Sequence, residues 1–432
     1  MSTGNRTEIH YLPRVVDDEL DELLVGLPAI AIEGARGVGK TSTASRRAAT
    51  VHRLDDPAEW NIAVADPRRL LQGKPPILID EWQRLVESWD LVRRAVDGQP
   101  GRAGAFLLTG SAVPREAPTH SGAGRIVTVR MRSLTLAERG VGTPTVSLQH
   151  LLSGERPPLQ GETTVALEDY AHEIVASGFP GLRGLSGRVL RAQLDGYLQR
   201  VVERDFEEAG HRVRKPAALL RWMSAYAAAS STTSSYEAIR DAATGGQEEK
   251  PSRGATAPYI DTLERLWILD AVPAWLPTRN RLRRLSAPPK HQLVDPALAA
   301  RLLGVGAEAL LEARPKGLPF QRDGTMLGAL FESLVTLGVR VYAQAAEART
   351  SHLRTATGER EVDLIVERVD GRVVAIEVKL ARTVTDADVR HLRWLQERIG
   401  ADLLDAVIIT TGAEAYRRRD GIAVVPAALL GP

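Results

Sequence analysis

Two rhythms of apolar and polar positions alternate along the first third of the chain. Short apolar runs cover residues 28–32, 77–80 and 105–108, and the strand-like stretches 50–54 and 126–131, which mix apolar with polar residues, flank them. Between them lie stretches of helical period: Val15, Val16, Leu20, Leu23 and Leu24 with acids between, then residues 42–48, 66–71 and 85–96, the last with Leu85, Val86, Trp89, Val92 and Val96 on one stripe. Buried strands alternating with amphipathic helices predict βαβ crossovers and hence an α/β domain. The rhythm loosens over 140–164, where Gly-Val-Gly-Thr-Pro and Gly-Glu-Arg-Pro-Pro place the first domain boundary.

Beyond that boundary the pattern is helical. Helices are expected over 167–176, 188–209, 217–229, 236–243 and 256–267, followed by the β-like run 268–275. A helix, a serine-capped helix, a third helix and then a strand is the order of a winged helix-turn-helix. Used on DNA, such a module would present Arg253, Thr256 and Tyr259 to a major groove; used for packing or protein contact, it would not. From Leu327 the text changes again. A helix, strands over 361–366 and 373–379, a helix over 388–399 and a strand over 406–410 predict a small mixed α/β unit. The expected domains are therefore 1–140, 141–310 and 311–432.

Composition narrows the chemistry. In 432 residues, 44% are hydrophobic and only 5% aromatic, so the core is built of aliphatic side chains. There is no cysteine, which removes disulfides, thiolate zinc sites and cysteine nucleophiles. A formal charge of +2 gives no global pull toward nucleic acid, so such binding needs a local patch, and the densest is Arg279-Asn-Arg-Leu-Arg-Arg284 with Lys290 and His291. The N-terminus lacks a secretory pattern and no run of about 18 purely apolar residues exists, so a cytoplasmic protein without a membrane partner is expected.

Three stretches carry candidate chemistry. Gly34-Ala35-Arg36-Gly37-Val38-Gly39-Lys40-Thr41 fits the phosphate loop at a strand-to-helix junction: small residues let consecutive amides, through Ser42, fold around phosphate oxygens. Lys40 would reach the β- and γ-phosphates of ATP, and Thr41 would ligate Mg²⁺. The run 76–81 ends in Asp80 and Glu81, as a strand does that holds Mg²⁺ through its first acid and polarises the attacking water with its second. Thr109 and Ser111 end another buried strand and are candidates for sensing the γ-phosphate. Arg125 follows, a candidate arginine finger toward its own or a neighbouring subunit.

The third stretch is C-terminal. Asp363 begins a strand, and Glu377 and Lys379 share one face of the next by period-2 alternation, with Glu332 on a helix upstream. This pattern can hold Mg²⁺ on carboxylates and orient a nucleophilic water with the lysine for phosphodiester cleavage; an internal Glu377–Lys379 ion pair is the other reading.

With these sites in view, the chain resembles a family of bacterial and archaeal AAA-like ATPases that couple a phosphate-loop domain to a C-terminal domain of unknown function, built like a PD-(D/E)XK restriction endonuclease. Besides the two ATP motifs, the resemblance rests on Leu108-Thr-Gly-Ser111, Gly124-Arg125, Gly178-Phe-Pro180, Arg204-Asp205, Val294-Asp295, Phe331-Glu332, Glu361-Val-Asp363 and Glu377-Val-Lys379. It implies a P-loop NTPase domain, a winged-helix or helical connector and a restriction-endonuclease-like α/β domain, with Glu332, Asp363, Glu377 and Lys379 on the metal-site positions. Val362 stands where that motif has proline. Three purposes remain open: a DNA-linked machine, a nucleotide-dependent switch or scaffold for protein partners, and an ATP-gated nuclease. Assembly into a homo-oligomer follows by analogy.

Overall fold

The computed structural model describes residues 11–99, 101–111, 122–211, 213, 215–244, 253–277, 287–312, 324–355 and 358–432. The N-terminal sheet is built of β1 (Ala29–Glu33), β2 (Thr50–Arg53), β3 (Ile77–Asp80), β4 (Phe106–Gly110) and β5 (Val127–Arg130) in the order β2-β3-β4-β1-β5. Every pairing is parallel. Parallel strands are covered on both faces, and so β1, β3 and β4 read as unbroken apolar runs. Insertion of β4 between β1 and β3 brings its polar end between the phosphate loop and Asp80.

One helix here was not anticipated. Asp55-Asp-Pro57 reads as a closing turn, yet Pro57–Ala65 is helical: Asp56 accepts a hydrogen bond from Ala58 N at 2.8 Å and proline occupies the first turn.

The helical region follows with Leu167–Ala176, Gly187–Arg200, Pro216–Ala228, Tyr236–Ala242 and Arg253–Arg265. The expected helix over 188–209 is interrupted at Val201–Asp205 by a π-helical turn, which swings Asp205 out of α-helical register. After the last helix the chain makes isolated bridges, Leu269 to Leu293 and Val272 to Lys290. The C-terminal sheet comprises β7 (Arg349–Arg354), β8 (Glu361–Glu367), β9 (Val373–Val378), β10 (Leu403–Thr410), β11 (Tyr416–Arg417) and β12 (Ala423–Pro426) in the order β11-β12-β10-β9-β8-β7. β7, β8 and β9 form an antiparallel meander, and β10 joins β9 in parallel after the helix Arg390–Ile399.

The stretch 140–164 is tied to this C-terminal sheet. Strand β6 (Val146–Ser147) pairs with β13 (Leu430–Gly431), and Arg156 donates to the carbonyls of Leu404 and Leu403 at 2.8 and 3.0 Å. One continuous apolar core includes Ile30 and Ile32 of β1, Trp222 of the helical region, and Leu330, Val407 and Leu430. An ionic knot reinforces it: Asp270 is buried against Arg130, Arg132 and Arg340 at 3.1, 2.8 and 2.9 Å. Burial opposes its charge, but the three guanidinium groups hold its carboxyl well below the usual range. The helix Gly324–Ala345 contains a segment long and apolar enough to cross a membrane, which purely apolar runs had not revealed. That segment is 67% buried within the chain, and its charges, Glu332 and Arg340, are in internal ion pairs, so it is a core helix.

Candidate functional site

The phosphate loop leaves β1 through Gly34, where a Cβ would meet Met131 O at 2.1 Å, so only glycine fits. Gly37 and Gly39 have φ of 87° and 104°, the left-handed region that glycine enters without strain. Lys40 then opens the helix Lys40–Ser45, shorter than the expected 42–48. Its ammonium is buried and donates to Gly34 O and Ala35 O, both at 2.9 Å. Burial lowers its pKa to about 8, against the opposing pull of Glu81 and Asp80.

The second wall is the end of β3. Asp80 Oδ1 accepts from Thr41 Oγ1 at 2.7 Å and from Thr109 Oγ1. Glu81 adopts φ of 57°, a left-handed conformation uncommon outside glycine that turns its carboxylate back over the sheet edge. There its two oxygens accept from Ser111 Oγ at 3.0 Å and from Gln83 Nε2. Lys40, Thr41, Asp80, Glu81, Thr109 and Ser111 thus meet at the edge where β1, β3 and β4 end. The donors beside the loop are a hydroxyl and a carboxylate within hydrogen-bond distance, the hard oxygen set that Mg²⁺ takes, so these residues fit the metal.

The loop is gripped on both flanks by residues that motif reading did not assign. Arg14 donates to Val38 O at 2.8 Å and to Arg132 O at 2.7 Å, while pairing with Glu138 at 3.0 Å. On the other side Arg36 pairs with Asp205 at 2.5 Å and Glu208 at 3.1 Å, and Tyr197 donates to Arg36 O at 3.1 Å. Burial raises the Asp205 pKa in spite of Arg36. A small cleft between the loop and the helical region is lined by Arg36, Ser111, Tyr197, Asp205 and Glu208. The sequence signal was the Arg204-Asp205 phrase, but nothing in it named Arg36 as the partner.

Three expectations are corrected. Arg125 lies before β5 at the edge where the parallel strands begin, a strand length of roughly 13 Å from the edge that carries the loop. It pairs there with Asp97 at 2.8 Å, so it is no finger toward the phosphates of its own chain. The groove-facing assignment fails for Thr256 and Tyr259: Thr256 is buried, and the Tyr259 ring packs 6.3 Å from both Phe206 and Trp222. The Arg253 side chain, the basic run 279–284 and most of the Pro/Ser-rich loop 114–124 lie outside the described residues. Lys290 and His291, expected beside that run as phosphate contacts, are buried, His291 between Tyr226 and Tyr236.

Lys290 proves to belong to the C-terminal constellation. Its Nζ lies 2.8 Å from Glu332, 3.1 Å from Asp363 and 3.3 Å from Glu361, with its side chain fully buried. Glu332 is pushed up to about 8 by burial and by Asp363, against Lys290; Asp363, for which burial acts the same way, is held below the usual range by Lys290 and Lys379. Asp363 Oδ2 also accepts from Val378 N at 2.9 Å. Glu377 pairs with Lys379 at 2.8 Å and lies 3.6 Å from His391, the ion-pair reading of that motif, and burial and the Asp363 charge raise its pKa. Among the described residues, no group of three or more His, Asp or Glu is arranged to hold a metal ion.

Comparison with known proteins agrees on the N-terminal unit. Residues 27–139 match the AAA domain family, residues 167–309 a domain of unknown function (DUF8612), and residues 327–430 another (DUF4143). No curated protein matches the chain. Among solved structures, a Walker-type ATPase of Pyrococcus abyssi aligns at 15% identity and a TM-score of 0.40, covering 70% of this chain and 98% of that one. The match over residues 27–139 covers the unit that carries the phosphate loop and the Asp80-Glu81 strand end, and that unit is similar to AAA domains.

Proposed function

We propose that the chain is a Mg²⁺-dependent ATPase acting as a nucleotide switch on its own helical region. The observation that carries this reading is the meeting of Lys40, Thr41, Asp80 and Glu81 at one sheet edge. The loop amides and the Lys40 ammonium bind the phosphates. Thr41 and Asp80 would hold Mg²⁺, which when bound neutralises charge on the β- and γ-phosphate oxygens. Glu81 polarises the attacking water, its carboxylate oriented by Ser111 and Gln83. Thr109 ties Asp80 to the strand beside the γ-phosphate.

The switch works through Arg36. Its guanidinium serves two carboxylates of the helical region, Asp205 and Glu208, in the cleft that also contains Ser111. A γ-phosphate offers competing acceptor oxygens, and charge-assisted pairs of this kind are strong enough to redirect an arginine. Hydrolysis returns Arg36 to Asp205. A switch is favoured over a DNA machine by the inward packing of Thr256 and Tyr259.

The test is phosphate release with Mg²⁺ and ATP, run beside hydrogen exchange across residues 187–208. Mg²⁺-dependent turnover is expected, with exchange in that segment rising when ATP is held by the Glu81→Gln variant. Turnover by Glu81→Gln at the parental rate would remove the assigned base. Unchanged exchange would remove the switch.

A further inference from the structure

Glu332, Asp363 and Glu377 are the acids whose spacing in the sequence suggests a metal site, yet a side chain already sits among the carboxylates of Glu332 and Asp363. Lys290 comes from a segment 42 residues before Glu332 and 73 before Asp363. An ammonium has three N–H donors, and here three carboxylates from two elements lie within 3.3 Å of it. A lysine with its side chain fully buried would ordinarily shed its proton; these acids supply the counter-charge that keeps it ionised.

We propose that Lys290 is the resident cation of this cluster and takes the place of a divalent metal, so that the C-terminal domain is closed to metal-dependent cleavage in the folded chain. A metal bound by Glu332 and Asp363 would need oxygens at about 2.0–2.6 Å, and Lys290 Nζ already engages one oxygen of each. The other oxygen of Asp363 is taken by the Val378 amide. Glu377, the remaining acid of the motif, is paired with Lys379, which also faces the Asp363 charge.

The lysine is also fixed in place by its backbone. Lys290 exchanges two hydrogen bonds with Val272, at 2.8 and 2.9 Å. His291 N donates to Thr232 O at 2.8 Å, and Pro288 O lies 3.1 Å from His352 Nε2. Burial and the nearby Lys290 charge lower His352 to about 4, so its neutral ring donates to that carbonyl. These main-chain bonds fix the point from which the Lys290 side chain reaches the acids.

This inference is independent of the ATPase reading, and its test uses no nucleotide. Mn²⁺ is titrated into the full chain and into its Asp363→Asn variant, with binding read by electron paramagnetic resonance. The two titrations are expected to coincide; an uptake lost in Asp363→Asn overturns the proposal whatever other variants do. In Lys290→Met the vacated cluster is expected to gain stoichiometric Mn²⁺ binding, and the melting temperature, lowered without metal, rises on its addition. Lys290→Met/Asp363→Asn should lose both gains. A folded Lys290→Met that takes up no more Mn²⁺ than the parent contradicts the account, as does Mn²⁺-dependent DNA cleavage by the parent that Asp363→Asn abolishes.

Discussion

The chain carries two constellations of acids beside a lysine, and they are built to opposite ends. In the N-terminal unit, Asp80 and Glu81 are held by hydroxyls and an amide side chain, neutral groups that can re-aim, while Lys40 bonds to the backbone of its own loop. In the C-terminal unit, Glu332 and Asp363 are held by an ammonium with no solvent exposure on a backbone that is itself paired. The same residue types therefore serve exchange in one place and permanence in the other. What separates them is the charge and mobility of the partner: a hydroxyl yields to a metal ion, whereas a buried counter-charge cannot leave without uncovering several acids.

Substitutions at the two places should diverge accordingly. The largest effect is expected at Glu81: Glu81→Gln should cut turnover by about 10²–10⁴-fold with nucleotide binding intact, as judged by phosphate release beside a binding isotherm. At the C-terminal cluster the loss should fall on stability instead. Asp363→Asn leaves Lys290 short of counter-charge and should cost about 3–5 kcal/mol in denaturant unfolding, with ATP turnover at the parental rate at low temperature. Loss of turnover in a folded Asp363→Asn protein would break the separation between the two sites.

Smaller effects probe the exchangeable site. Lys40 binds phosphate as an ammonium, and burial sets its pKa to about 8 in the free protein. Nucleotide affinity should therefore be level below pH 8 and fall by up to about tenfold per pH unit above it, with a proton taken up on binding. Calorimetry in two buffers of different ionisation enthalpy reads that proton. The smallest effect is expected at Arg36, whose side chain is 37% exposed. Arg36→Ala should shift stability by only about 0.5–1 kcal/mol, yet abolish the ATP-dependent change in exchange over residues 187–208.

Local signals were legible and distant ones were not. The phosphate loop and the Asp80-Glu81 strand end could be read because their chemistry is written in consecutive residues, and Thr109 and Ser111 because strand β4 ends in hydroxyls. The helix at Pro57 was missed because an aspartate followed by proline serves both a turn and a helix start. Arg125 was misplaced because the direction of β5 relative to β1 is set by the pairing: being parallel, it puts the residue before β5 at the edge opposite the one where the loop leaves β1. Lys290 read as part of a basic patch for phosphate contact: its true partners are supplied by elements that only the tertiary fold brings near. Tyr259 likewise shows that a helix with charges on one face can still turn an aromatic inward.

The most direct test of the central claim is a calorimetric titration of the folded chain with ATP in the presence of Mg²⁺. Saturable heat is expected for the parent and for Glu81→Gln, and none for Lys40→Ala. Absence of heat from the folded parent, or undiminished binding by Lys40→Ala, would contradict the placement of triphosphate in the Gly34–Thr41 loop.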